Sequence, residues 1–113
     1  SRNRPDGADP PSRPAIGIFT ILFMTPTMEI EIINRLGLHA RACAKLVKTA
    51  AHFESAITLS DGKSSADAKS IMHLMMLAAA QGTRLTLRAE GADSEQAMAA
   101  IKQLVEDRFG EEE

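Results

Sequence analysis

A chain of 113 residues is long enough for one small domain and too short for two ordinary ones, and its 25% charged and 44% apolar content is that of a soluble globular protein. A net charge of −2, a pI near 5.9 and the absence of Trp and Tyr argue against a nucleic-acid surface or attachment to anionic lipid, which call for basic patches and stacking rings. The single cysteine, Cys43, excludes an intrachain disulfide and a multi-cysteine zinc site and fits a reducing cytoplasm.

The first 27 residues differ in character from the rest. Ser1 to Pro14 hold four of the five prolines, three arginines and two aspartates, a composition that cannot bury enough apolar surface to fold alone. Ala15 to Met24 is a mostly apolar run, shorter than the roughly 20 residues that a bilayer requires. No small-x-small cleavage site follows it before Met28. We expect residues 1–27 to be an extension, disordered or non-native, with natural translation beginning at Met24 or Met28. The domain is expected over residues 28–110, and residues 111–113 are expected to be a frayed acidic tail.

Met28-Glu29-Ile30-Glu31-Ile32 alternates apolar and acidic residues, the period of a half-buried strand. Gly37 is then a breaker that lets the chain turn tightly around His39. From Arg41 to Phe53, the residues Cys43, Leu46, Val47 and Ala50 form one apolar helical stripe, with Lys45, Lys48 and His52 away from its centre. Cys43 is expected to be a small buried residue. Ala56 to Ser60 reads as a second strand, and Asp61-Gly62 as a two-residue hairpin into a third strand over Lys63 to Asp67. Lys69-Ser70 opens a short helix with Ser70 as its cap and Ile71, Leu74, Met75 and Ala78 at helical spacing, ended by Gly82. Arg84 to Ala89 alternates as a fourth strand. Asp93 or Ser94 caps a final helix, one side of which carries Ala97, Ile101, Leu104, Val105 and Arg108. The order β-α-β-β-α-β-α, with helices covering one apolar sheet face, is that of an α+β two-layer sandwich.

His39 stands where the first strand gives way to the first helix. The start of a helix presents backbone N–H groups without intrahelical partners and about half a positive charge, which suits a phosphate. Arg41 adds a permanent cation with a fork of donors. An imidazole, with an ordinary pKa of about 6.5, is a competent nucleophile near neutral pH. The turn therefore offers a nucleophile, an anion cradle and a counter-charge.

Gly37-Leu38-His39-Ala40-Arg41, followed farther on by Ala68-Lys69-Ser70-Ile71-Met72-His73-Leu74-Met75, resembles the histidine-containing phosphocarrier (HPr) family of the bacterial phosphotransferase system. The resemblance runs from about Met28 to Phe109. It implies an open-faced sandwich with a four-stranded antiparallel sheet and three helices on one face, matching the pattern reading. It also implies a cytoplasmic phosphocarrier, not an enzyme in its own right, without cofactor or metal. By motif, His39 would accept a phosphoryl group on Nδ1 from Enzyme I and pass it to a IIA-type protein, with Arg41 as the neutralising partner. Ser70 matches a serine that a dedicated HPr kinase/phosphorylase modifies in some members. Ile71, Met72 and Met75, rimmed by Arg41, Lys45 and Lys48, would be the surface on which a monomer receives its partners.

The chain departs from the family pattern in three places. Ala42 follows the motif arginine where Pro is usual, Ala40 supplies no hydroxyl, and His73 stands where Gly is common. A second functional reading is a non-catalytic regulatory module that binds partners under control of Ser70 and never uses His39. A hydrolase reading lacks a paired carboxylate or nucleophile fixed beside His39. Metal binding by His39, His52 and His73 lacks ligand spacing. The residues leave open whether the branch is sugar transport or nitrogen-related.

Overall fold

The computed structural model describes residues 25–113. The apolar run Ala15 to Met24 and most of the expected extension lie outside them. β1 (Thr27–Glu31) is followed by α1 (Ala40–Ala50), β2 (Ala56–Ser60), β3 (Ser65–Asp67), α2 (Ile71–Leu77), β4 (Arg84–Glu90) and α3 (Ser94–Glu106). The strands form one four-stranded antiparallel sheet in the order β1-β4-β2-β3. This is the α+β open-faced sandwich the pattern implies. The strand begins at Thr27, one residue before the expected domain start, and the Pro26 carbonyl accepts from Ala89 N–H at 3.3 Å.

Period-two alternation decides which face is covered. Ile30, Ile57, Leu59, Ala66, Leu85, Leu87 and Ala89 are buried under the helices, while Glu29, Thr86 and Arg88 point to water. Register puts Ile30 opposite Leu85, and Leu59 opposite Leu87 on one side and Ala66 on the other, so one continuous apolar layer runs across the sheet. α1 adds Ala42, Cys43, Leu46 and Ala50, and α3 adds Ala97, Met98, Ile101 and Val105. Cys43 is fully buried, as expected, and its thiol donates to the Leu38 carbonyl at 3.4 Å. Burial pushes its pKa up, so the thiol is an inert packing group.

Two local readings are corrected. The β2–β3 hairpin is a four-residue loop over 61–64, because the Asp61 carboxylate accepts from Lys63 N–H and Ser64 N–H, both at 2.8 Å, and holds a wider turn than two residues could make. In α2, Leu74 is buried and Leu77 packs partly against the core, while Ile71, Met75 and Ala78 are exposed. Arg108 does not continue the buried side of α3. It is exposed with φ +54°, and Phe109, also at φ +54°, takes the core position instead.

Candidate functional site

Gly37 makes the site's entry possible. Its φ is +68°, and a Cβ there would stand 2.6 Å from the Ala79 carbonyl oxygen, so the turn presses directly on the segment after α2. Leu38 N–H donates to that same carbonyl at 2.8 Å. The chain then enters α1 with His39 as its N-cap residue, in extended conformation, its carbonyl accepting from Cys43 N–H at 2.9 Å. The first turn of α1 contains no acidic residue. The positive end of the helix is therefore not neutralised from within the helix.

His39 Nδ1 accepts from Arg41 N–H at 3.3 Å. Nε2 faces the Glu111 carboxylate in a short contact. A ring nitrogen facing an N–H must accept, and one facing a carboxylate must carry the hydrogen, so the geometry selects the Nε2–H tautomer. The lone pair of Nδ1 thus points into the helix N-terminus. The His39 side chain is 26% exposed, enough for another protein to reach it.

Glu111 and Asn34 were given no role by sequence reasoning. Asn34 is fully buried, and its Nδ2 donates to the Gly37 carbonyl at 2.9 Å and to Glu111 Oε1 at 3.0 Å. Burial opposes ionisation of Glu111, but the hydrogen bonds from His39 and Asn34, with the charges of His39 and Lys45, outweigh it and hold the carboxyl below its usual range. The segment expected to fray is therefore folded onto the site. Arg35 N–H donates to the Glu113 carbonyl at 2.6 Å, and the Arg35 guanidinium meets the Glu113 carboxylate at 2.5 Å.

A left-handed turn over Arg108–Gly110 delivers that segment. Two non-glycine residues in this region cost about 1–2 kcal/mol each. Full burial of a phenylalanine side chain, as at Phe109, offsets about 1.5–3 kcal/mol of that. Lys45 Nζ donates to the Phe109 carbonyl at 2.6 Å. Lys45 is therefore half-buried and engaged inside the fold, not free at a rim.

Arg41 is exposed and its side chain makes no hydrogen bond or ion pair among the described residues. With Arg35, Leu36 and Glu111 to Glu113 it lines an open depression of about 370 Å³. Ser70 caps α2, its hydroxyl accepting from His73 N–H at 3.2 Å. Ile71, Met72, Met75 and Met76 form an exposed apolar surface, Met72 and Met76 at 71% and 77% exposure. Lys48 is exposed in the last turn of α1. His52 bonds the Lys48 carbonyl and His73 lies on α2, so the three histidines occupy separate places. No cluster of His, Cys, Asp or Glu that could hold a metal occurs among the described residues, and no helix among them is long and apolar enough to cross a membrane.

The family model described as "PTS HPr component phosphorylation site" matches residues 26–107, a span that includes Asn34 and His39 and stops before Glu111. Phosphocarrier protein HPr of Xylella fastidiosa is 50% identical over 84 residues, covering 74% of this chain and 94% of that protein. Phosphocarrier protein NPr of Shewanella violacea is 41% identical over 83 residues, covering 74% of this chain and 91% of that protein. Among solved structures, HPr-C-His from Thermoanaerobacter tengcongensis superposes with a TM-score of 0.75 at 44% identity, covering 78% of this chain and 99% of that one.

Proposed function

The chain belongs to the HPr family of phosphocarrier proteins of the phosphotransferase system, and from that membership we propose that His39 takes a phosphoryl group on Nδ1 from Enzyme I and hands it to a IIA-type protein. The observation that carries the reading is the direction of the Nδ1 lone pair, toward Arg41 N–H at the start of α1, whose first turn holds no acidic residue. In the step, that lone pair forms the N–P bond while the bond to the donor breaks, its electron pair staying with the donor. The arriving phosphoryl oxygens take the place beside the first-turn amides. The unpaired guanidinium of Arg41 supplies the counter-charge. Phosphoryl transfer passes through a loose, charge-spread transition state, so positioning and fixed positive charge supply most of what the protein must add. A shallow site with one arginine can also release the group again.

Transient phosphorylation makes the protein a relay component that acts as a cytoplasmic monomer between larger partners. Ile71, Met72 and Met75 serve as the docking surface, with Lys48 at its rim and Met76 enlarging it. Ser70 is the position at which a serine kinase would act. Its hydroxyl is already explained by capping α2, and no observation favours control through Ser70 over transfer through His39. The pathway served is sugar uptake or nitrogen-related regulation, according to which IIA-type protein accepts the phosphate.

Incubation with phosphoenolpyruvate and Enzyme I tests the reading. The expected result is one acid-labile, alkali-stable phosphate on the protein and none on His39→Ala. An unlabelled wild-type chain beside a competent donor would reject it.

A further inference from the structure

We propose that Glu111, held by Asn34, is a positioning residue for the phosphoryl-accepting imidazole: it keeps the hydrogen on Nε2 and balances the positive charge the ring acquires when Nδ1 bonds to phosphorus. This rests on the assignment of His39 as the phosphoryl carrier. The contacts form a chain of donors and acceptors that allows one arrangement. Asn34 Nδ2 is fixed by the Gly37 carbonyl at 2.9 Å and presents its other hydrogen to Glu111 Oε1 at 3.0 Å. Oε2 is thereby left for His39 Nε2. Asn34 is fully buried, so its amide cannot exchange this partner for water. The Glu111 side chain is 14% exposed, and the carboxylate sits across the ring from Nδ1, away from the place the phosphate would occupy.

The proton balance follows. The neutral ring enters the reaction with hydrogen on Nε2 and the lone pair on Nδ1. Formation of the N–P bond leaves a cationic ring that still carries that hydrogen, facing a carboxylate. When the phosphoryl group moves on, the N–P electron pair returns to Nδ1 and the ring is neutral again. No proton has to leave or arrive in either direction. The same arrangement of carboxylate, imidazole and reacting centre orients the ring in hydrolytic triads.

The test compares wild type with Glu111→Ala, Glu111→Gln and, as a control, Glu90→Ala at the exposed end of β4. Glutamine keeps the shape but offers one acceptor where two donors converge. Two readouts are taken: the ring ¹⁵N shifts of His39, which report the tautomer before any phosphate is added, and the initial rate of phosphorylation by Enzyme I. A hydrogen bond to a charged group is worth about tenfold in an equilibrium. Both Glu111 variants are therefore expected to shift the ring signals toward a mixture of tautomers and to slow phosphorylation by about that factor. Glu90→Ala should change neither. Thermal melting identifies any variant whose fold is lost, and Glu111→Gln then stands in for Glu111→Ala. Unchanged ring shifts and rates in both Glu111 variants overturn the inference while leaving His39 as carrier. A wild-type chain that takes no phosphate overturns the carrier assignment instead, and the ring shifts still judge the role of Glu111.

Discussion

Gly37 shows how much can rest on a missing side chain. Alanine there would have to adopt a left-handed conformation and push away the Ala79 carbonyl, which is also the acceptor for Leu38 N–H. We expect Gly37→Ala to lower stability by about 1–3 kcal/mol, read by urea denaturation, and to slow phosphorylation because the first amides of α1 would move. The turn at Gly37, the position of His39 at the start of α1, the burial of Cys43 and the cap at Ser70 were all legible in the sequence, since each is signalled by the residues that flank it. Asn34 and Glu111 were not. Glu111 lies 77 residues from Asn34 and 72 from His39, and a contact over such distances leaves no periodic trace in a single sequence. The clue that was present, an acidic residue just after Phe109-Gly110, read as part of a tail.

At the scale of elements, periodicity identified the helices and strands and the buried face of the sheet, but misplaced Arg108 on the buried side of α3. α2 shows helical spacing through Ile71, Leu74, Met75 and Ala78, yet of these only Leu74 is buried, with Leu77 packed partly against the core beside it. Ala78 closes this helix at φ +52°, where glycine is the usual residue. Ala78→Gly is expected to raise stability by about 0.5–1 kcal/mol, measurable as a higher urea midpoint with an unchanged slope. Asp93 occupies the cap position of α3 without capping it. Its carboxylate takes hydrogen bonds from the Ser55 hydroxyl at 2.5 Å and from Glu54 N–H and Ser55 N–H at 2.9 and 3.0 Å. The Ser55 hydroxyl first, then the Glu54 amide, hold the acid below the ordinary aspartate value of 3.8. A carboxylate with a depressed folded-state pKa contributes stability above its ordinary value and loses that contribution as the pH falls through the depressed one. Asp93→Asn should therefore be less stable than wild type at neutral pH and show a flatter loss of stability on acidification, followed by denaturation from about pH 5 to pH 2.

For the whole molecule, one sheet face is polar and the other is covered, and four of the five large apolar residues left exposed among the described residues lie on α2. Single exposed apolar residues are ordinary, but Leu36, Ile71, Met72, Met75 and Met76 together are not. Met72→Lys is expected to weaken docking of Enzyme I, raising KM for transfer about tenfold with kcat and melting temperature little changed. Equal KM for the variant would place docking elsewhere. The four-stranded antiparallel sheet was anticipated through the family resemblance, but its strand order was not, and the return of the segment after Phe109 depends on two left-handed residues that composition does not reveal. That return also bears on how the protein is made. Because Asn34 and His39 emerge from the ribosome long before Glu111, a nascent chain has the histidine without its carboxylate neighbour, and the two meet only after synthesis has passed the turn over Arg108–Gly110.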